Sequence, residues 1–315
     1  MPELYIIGGT TASGKSGRAI RWAQQLGGWI LSCDTVQVYE GMDIGAAKVG
    51  EEAMEGVPHY GLNLAPLSAV YDVTQYIDYA GSVLQEADRA GVPVIICGGS
   101  GFYLQSFFKA VVDPVEIPVT IRREVAMIEA AAGLEGLVAR LKRETGGETE
   151  PIDLANPRRV VRALERVLAT GRTPAALRAE FEQRKGPFDG HPRRAIWIDW
   201  EDEALRVRIR RRVEAMWAEG LVGEVKGLLG KGLRENPVAC RAIGYREVIA
   251  ALDRGNWRED ELKEEIAKAT WQLVRKQRTW FRTQLAMVPR WVFRTEDSDR
   301  PNPEDGPEVR DGSWE

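Results

Sequence analysis

Near the start of the chain, Gly9-Thr10-Thr11-Ala12-Ser13-Gly14-Lys15-Ser16 follows the spacing G-x-x-x-x-G-K-[ST]. Its glycines let backbone N–H groups turn inward around phosphate oxygens. Lys15 adds a point charge, Ser16 can ligate Mg2+, and a helix beginning there directs its positive end at the anion. Such a loop holds a di- or triphosphate. A phosphoryl-transferring enzyme of this kind also needs an acid at the end of an apolar strand to hold its metal. Val94-Ile95-Ile96-Cys97 instead runs into Gly98-Gly99-Ser100-Gly101. The acid close behind an early apolar run is Asp34, after Ile30-Leu31-Ser32-Cys33. By residue type it suits a metal ligand, a general base or a solvated turn.

These residues converge only if strands and helices bring them together. Leu4–Ile7 reads as a buried strand ending in glycines, and Ser16–Leu26 has helical apolar spacing and stops at Gly27-Gly28. Trp29–Ser32 is a second strand, Val73–Ala90 a helix, and Val94–Cys97 a third strand after a Gly-Val-Pro turn. Strands alternating with helices predict an α/β fold with a parallel sheet. Past residue 112 the pattern turns mainly helical, and Ala195–Trp200 then returns the chain to the sheet. The expected organisation is a P-loop core over 1–112 and 195–294 with C-terminal helices, a helical insertion over 113–194, and a disordered acidic tail over 295–315. In the insertion, Arg158, Arg162 and Arg166 fall on one helix face and Val161, Leu164 and Leu168 on the other. After the returning strand, Leu205, Ile209, Val213 and Trp217 form an apolar stripe with Arg208, Arg211 and Arg212 off it.

The 315 residues carry a net charge of −4, spread unevenly. Residues 156–212 hold 15 basic against 8 acidic side chains, 266–294 hold 7 basic and none acidic, and 295–315 hold 2 against 8. Two Arg-rich segments in an acidic protein point to a localised polyanion surface. No apolar run reaches the ~18–20 residues of a membrane span, and residues 1–9 lack the basic start and cleavage site of a secretory leader. The three cysteines lack C-x-x-C spacing and there are two histidines, which argues against a disulfide scaffold or a His/Cys metal site. A cytoplasmic monomer without a membrane segment is expected.

Several blocks in order carry a resemblance: the loop at 9–16, Ser32-Cys33-Asp34-Thr35-Val36-Gln37-Val38-Tyr39, Gly41-Met42-Asp43-Ile44-Gly45-Ala46-Ala47-Lys48, Gly98-Gly99-Ser100-Gly101-Phe102-Tyr103, Asn156-Pro157-Arg158-Arg159-Val160-Val161-Arg162, Arg241-Ala242-Ile243-Gly244-Tyr245 and Arg275-Lys276-Gln277-Arg278-Thr279-Trp280-Phe281. Together they resemble the bacterial tRNA dimethylallyltransferases over residues 4 to about 285. The second, third and last blocks are the most specific. Thr10 departs from the family's usual Pro, Thr35-Val36 from its frequent Ser-Arg, and Ser100 from its usual Thr.

The resemblance implies transfer of a dimethylallyl group from dimethylallyl diphosphate to the exocyclic N6 amine of the adenine 3′ of the anticodon in tRNA, with release of diphosphate. It implies that Gly9, Thr10, Thr11, Ala12, Ser13, Gly14, Lys15 and Ser16 bind the diphosphate, with Mg2+ on Ser16. Asp34 would act as the base, Ser100 would help hold the acceptor base, and Arg241 would stand near the diphosphate. The anticodon stem-loop would be held by Asp34, Thr35, Val36, Gln37, Ser100, Arg122, Arg158, Arg159, Val160, Val161, Arg162, Arg275, Arg278 and Arg282. The rival readings are an adenylate isopentenyltransferase acting on free AMP, ADP or ATP, a P-loop small-molecule kinase, and an RNA-binding module with a vestigial P-loop. The insertion and the basic segments weigh against the first. The 34–48 block weighs against the second, and intact Lys15, Ser16 and Asp34 against the third.

Overall fold

A computed structural model describes residues 1–293. Its centre is a six-stranded, all-parallel sheet. The strands are β1 (Leu4–Gly9), β2 (Trp29–Ser32), β3 (His59–Tyr60), β4 (Val94–Gly98), β5 (Arg193–Trp200) and β6 (Arg290–Phe293), in the spatial order β3-β2-β4-β1-β5-β6. Strands β1 and β4 are buried along their whole length, as expected for strands covered on both faces. The chain runs from β1 to β2 on one side of β1 and later crosses from β4 to β5 on the other, and in this parallel sheet the loops after β1, β2 and β4 all open at the carboxyl ends of the strands. That is the region where open α/β sheets bind ligands.

Helices cover both faces. Helix α1 (Lys15–Leu26) follows β1 and is closed by Gly27 in the left-handed conformation. Helix α2 (Val73–Ala90) starts at a capping box in which Asp72 and Gln75 satisfy each other's backbone N–H, and it ends at Gly91. The short α3 (Gly101–Gln105) follows β4. One core layer gathers Ile7, Ile20, Trp22, Leu205, Ile209, Val213 and Val248, and the other Leu4, Ile6, Tyr76, Leu84, Tyr103 and Phe281.

The chain divides into two compact units, residues 1–108 with 188 onward, and residues 109–187. The second unit holds α4 (Val119–Glu144, bent where Gly133 leaves helical geometry), α5 (Pro157–Thr170) and α6 (Pro174–Glu182). Helix α5 is set by an Asn156 cap and a proline at its first position. The division lies earlier at both ends than the expected 113 and 194. Phe188 is buried and stacks on Phe107 at 4.7 Å, and Arg193 and Arg194 already pair with Leu4 and Tyr5. The face of α5 is also rotated from the expected one. Val160, Ala163, Leu164 and Val167 are buried, while Val161 and Leu168 flank them.

The first unit ends in helices α7 (Asp202–Ala218), α8 (Leu221–Leu229), α9 (Tyr245–Arg254) and the long α10 (Glu259–Gln284). Met216, rather than Trp217, completes the buried stripe of α7. The three cysteines are free. Among the described residues no helix is long and apolar enough to cross a membrane. The expected acidic tail at 295–315 lies outside the described residues.

Candidate active site

The loop from Gly9 to Ser16 is held by its surroundings. An added Cβ at Gly9 would sit 2.4 Å from the Ile198 carbonyl, so only glycine allows the loop to lie against β5. Ala12 and Gly14 take positive φ of 61° and 84°. Two carbonyls of the loop are taken up by neighbouring donors. The Trp200 indole N–H donates to Ser13 O at 3.0 Å, and Arg208 Nε to Ala12 O at 2.9 Å, with its guanidinium 4.1 Å above the Trp200 ring. The Thr10 hydroxyl donates to Asp199 at 3.4 Å, so the residue that replaces a proline is tied to β5. The buried Ser13 hydroxyl has no hydrogen-bond partner among the described residues. Lys15 is half-buried, and its ammonium donates to Thr10 O at 2.7 Å. Burial pushes its pKa down to about 8; Cys97 and Asp34 oppose that shift and Arg212 adds to it. Ser16 opens α1 and is exposed, its hydroxyl facing the Cys97 thiol, which burial pushes up to about 11.

Asp34 follows β2. Its Oδ1 accepts from Val36 N at 2.8 Å and Gln37 N at 3.4 Å, which fixes the carboxylate on the turn it begins. Ser100 follows β4, and its hydroxyl accepts from Thr35 N at 3.0 Å and donates to Thr35 Oγ1 at 3.4 Å. The two loops touch because Gly98 has no side chain: a Cβ there would lie 2.0 Å from Cys33 O. Gln37 is a strut, its amide donating to Ala46 O and accepting from Ser32 Oγ.

Two cavities meet at this turn. The smaller, about 110 Å³, has Thr11, Asp34, Arg212 and Thr270 as its polar lining and Val36, Val213, Met216, Ile243 and Ile266 among its apolar lining. The larger, about 550 Å³, is lined by Asp34, Ser100, Arg241, Lys276, Gln277 and Trp280 among others. Asp34, Val36, Ala242, Ile243 and Leu273 belong to both.

The residues expected to do chemistry separate into groups. Lys15, Asp34, Ser100 and Arg241 all lie in the first unit, and Asp34, Ser100 and Arg241 share one cavity. Arg275 and Arg282 are exposed on α10, while Val274, Phe281 and Leu285 pack inward as expected. Arg122, Arg158, Arg159 and Arg162 are exposed on the helical unit. Arg159 pairs with Asp153 at 3.5 Å and Arg162 with Glu165 at 3.7 Å.

Two expectations need correction. Val160, assigned to RNA, is fully buried between α4 and α5 and presents no side chain to a ligand. Arg278 is committed inside the protein. Its Nε reaches Asp199 at 2.8 Å, one terminal nitrogen reaches Asp202 at 2.5 Å, and the other donates to Trp200 O at 2.6 Å. Asp199 is wholly buried and also takes Arg290 at 2.6 Å.

Two residues escaped the sequence reading. Arg212 on α7 lines the smaller cavity with no ion pair among the described residues, and burial lowers its pKa against the pull of Asp34. The signal available was its position four residues after Arg208, on the flank of the buried stripe. Gln277 bridges two loops, accepting from Thr11 N at 2.9 Å and donating to Gly99 O at 3.0 Å. It lies in the last block between Lys276 and Arg278, where an uncharged amide carries no signal of its own.

A family model described as IPP transferase matches residues 37–284. A tRNA dimethylallyltransferase of Opitutus terrae is 46% identical over 284 residues, covering 90% of this chain and 91% of the relative. A solved full-length tRNA isopentenylpyrophosphate transferase of Bacillus halodurans superposes with a TM-score of 0.67 at 30% identity, covering 93% of this chain and 91% of that one. A eukaryotic dimethylallyltransferase acting on tRNA, at 23% identity, shares the fold with a TM-score of 0.81 over 95% of this chain and 75% of its own. With the family model spanning most of its length and relatives matched nearly end to end, the chain belongs to the IPP transferase family.

Proposed function

We propose that the protein transfers a dimethylallyl group from dimethylallyl diphosphate to the exocyclic N6 of the adenine 3′ of the anticodon in tRNA. The observation that carries this reading is the meeting of two unlike cavities at one carboxylate. The smaller is lined by Thr11 of the phosphate loop and the Arg212 cation together with a mainly apolar wall, and its volume of about 110 Å³ is of a size for a five-carbon tail. The larger is wide enough for a nucleotide base, with hydroxyl, amide and aromatic groups on its walls.

In this reading the diphosphate lies on the N–H groups of 9–16, with Lys15 and Arg212 neutralising charge that grows as the allylic C–O bond breaks. The adenine amine attacks the allylic carbon, an N–C bond forms, and Asp34 accepts the proton the amine gives up. Ser100 holds the base, and Arg241, which lines the same larger cavity, stands near the diphosphate. Trp280, packed directly on Gly101, forms part of the cavity wall. Stacking and phosphate contacts offset the few kcal/mol needed to take the base out of the loop's stack. For Mg2+ the protein supplies the Ser16 hydroxyl, and among the described residues no group of three or more His, Cys, Asp or Glu converges on a metal. That donor set suits an ion that takes its remaining ligands from diphosphate and water, and the ion would add charge neutralisation on the leaving group. The exposed arginines of the helical unit, Arg122, Arg158, Arg159 and Arg162, are proposed to take the RNA backbone. A kinase reading lacks an acid at the end of β4, which closes at Gly98.

The test offers labelled dimethylallyl diphosphate and Mg2+ with unmodified tRNA and AMP in parallel. Label is expected in tRNA and absent from AMP. Asp34→Ala is expected to lose at least a hundredfold in the single-turnover rate while its donor Kd changes little. Label confined to AMP, or ATP hydrolysis without transfer, would overturn the reading.

A further inference from the structure

The two basic segments of the sequence meet at a place the reaction does not explain. Helices α7 and α10 lie side by side, and a groove of about 260 Å³ runs between them. Arg206 and Arg210 form one rim, Lys268 and Arg275 the other, and Glu264 is the one acid in the lining. Arg206 and Arg210 come from the 156–212 segment, Lys268 and Arg275 from 266–294. At 1.5 Å rise per residue the first pair stands about 6 Å apart and the second about 10 Å.

All four cations are exposed. Arg210 and Arg275 have no ion pair among the described residues, and Lys268 approaches Glu264 at 4.0 Å. The floor is Trp271, but its face is taken by the Arg206 guanidinium at 3.9 Å, with Arg278 at 5.5 Å. A groove of this kind offers charge and no open ring for a base. It also adjoins the site. Gln272 lines both this groove and the larger cavity, and Ile209 lines both it and the smaller one.

We propose that the α7–α10 groove is a track for the phosphate backbone of the RNA substrate, reading charge and not sequence. It rests on RNA being the acceptor and adds to it a surface outside the pocket of the reacting base. Four cations face one acid across the groove, and their mutual repulsion is the cost the free protein carries, which a polyanion relieves.

The experiment measures tRNA affinity of the full chain between 50 and 200 mM salt for the wild type, for Arg210→Ala with Lys268→Ala, and for the charge-keeping pair Arg210→Lys with Lys268→Arg. Each lost phosphate contact removes about 0.7–0.9 from the slope of log K against log salt. The alanine pair should therefore lose about tenfold less affinity over that range than the wild type does. The charge-keeping pair should match the wild type. The deficit should be equal for tRNA with a changed anticodon-loop sequence. Unchanged slopes in the alanine pair would overturn the track, and a deficit confined to one loop sequence would overturn its indifference to bases. A wild type that binds no tRNA would instead overturn the reading of RNA as acceptor.

Discussion

Lys15 sits half-buried with its ammonium on a carbonyl of its own loop, a contact an incoming anion would replace. Its pKa of about 8 lies below the lysine range chiefly because burial disfavours the charged form. The ammonium is therefore charged below pH 8 and neutral above it. Donor affinity should fall by about tenfold as the pH rises from 7 to 9.5, the worth of one charge-assisted hydrogen bond. Lys15→Arg, whose guanidinium stays charged, should show a flat profile over the same range. Titration calorimetry with dimethylallyl diphosphate and no RNA checks both. At this scale the sequence was readable where a residue's type forces its role. A Gly-rich loop with Lys and Ser admits few uses, and Asp34 stands out because it comes just behind an apolar strand. Arg278 and Arg275 are alike by type and three apart, and only the fold shows that one is spent on the buried Asp199 and the other is open to solvent.

Among the elements, the turn after β2 and the segment 43–48 depend on a distant helix. The Glu224 carboxylate, on α8, accepts from the N–H groups of Asp43, Ile44 and Gly45 at 2.9, 2.7 and 3.1 Å and from the Tyr245 hydroxyl at 2.7 Å. Gly45 lies so near the Tyr245 ring that a Cβ would meet it at 2.5 Å. Gly45 and Ala46 in turn line the smaller cavity. Glu224→Ala would leave several donors without an acceptor, so it should cost about 2–3 kcal/mol, lower the melting temperature by roughly 5–10 °C, and raise the KM for the donor. Glu224→Gln, which keeps an acceptor oxygen, should lose less. The long strands and helices were legible from their apolar runs and caps. Strands β3 and β6 were not, because two residues, or four with an exposed arginine, carry no alternation to read.

For the molecule as a whole, charge is shared between two units. If the helical unit holds RNA through Arg158, Arg159 and Arg162, replacing all three with alanine should weaken tRNA binding and lower the salt slope by about 2. That loss should add to the one from the α7–α10 groove, since the residues share no partners. A salt series on the combined variant measures the sum. The presence of a helical insertion was visible in the proline-bounded change of pattern after residue 112. Its limits were not, because the chain rejoins the sheet through Phe188 and two arginines that look like surface.

The pairing of β1 with β5 joins Leu4 to Arg193, and β6 closes on β5 with Phe293, among the last residues described. Contacts so far apart along the chain form slowly, whereas α4 and α5 meet over a short separation. During synthesis the phosphate loop therefore emerges long before the strand it leans on, and Asp199 waits for Arg278 and Arg290 to follow it out. The helical unit can close while the sheet around it is still half made, so a chain cut short before Phe293 would leave the edge of β5 open to other unfinished chains.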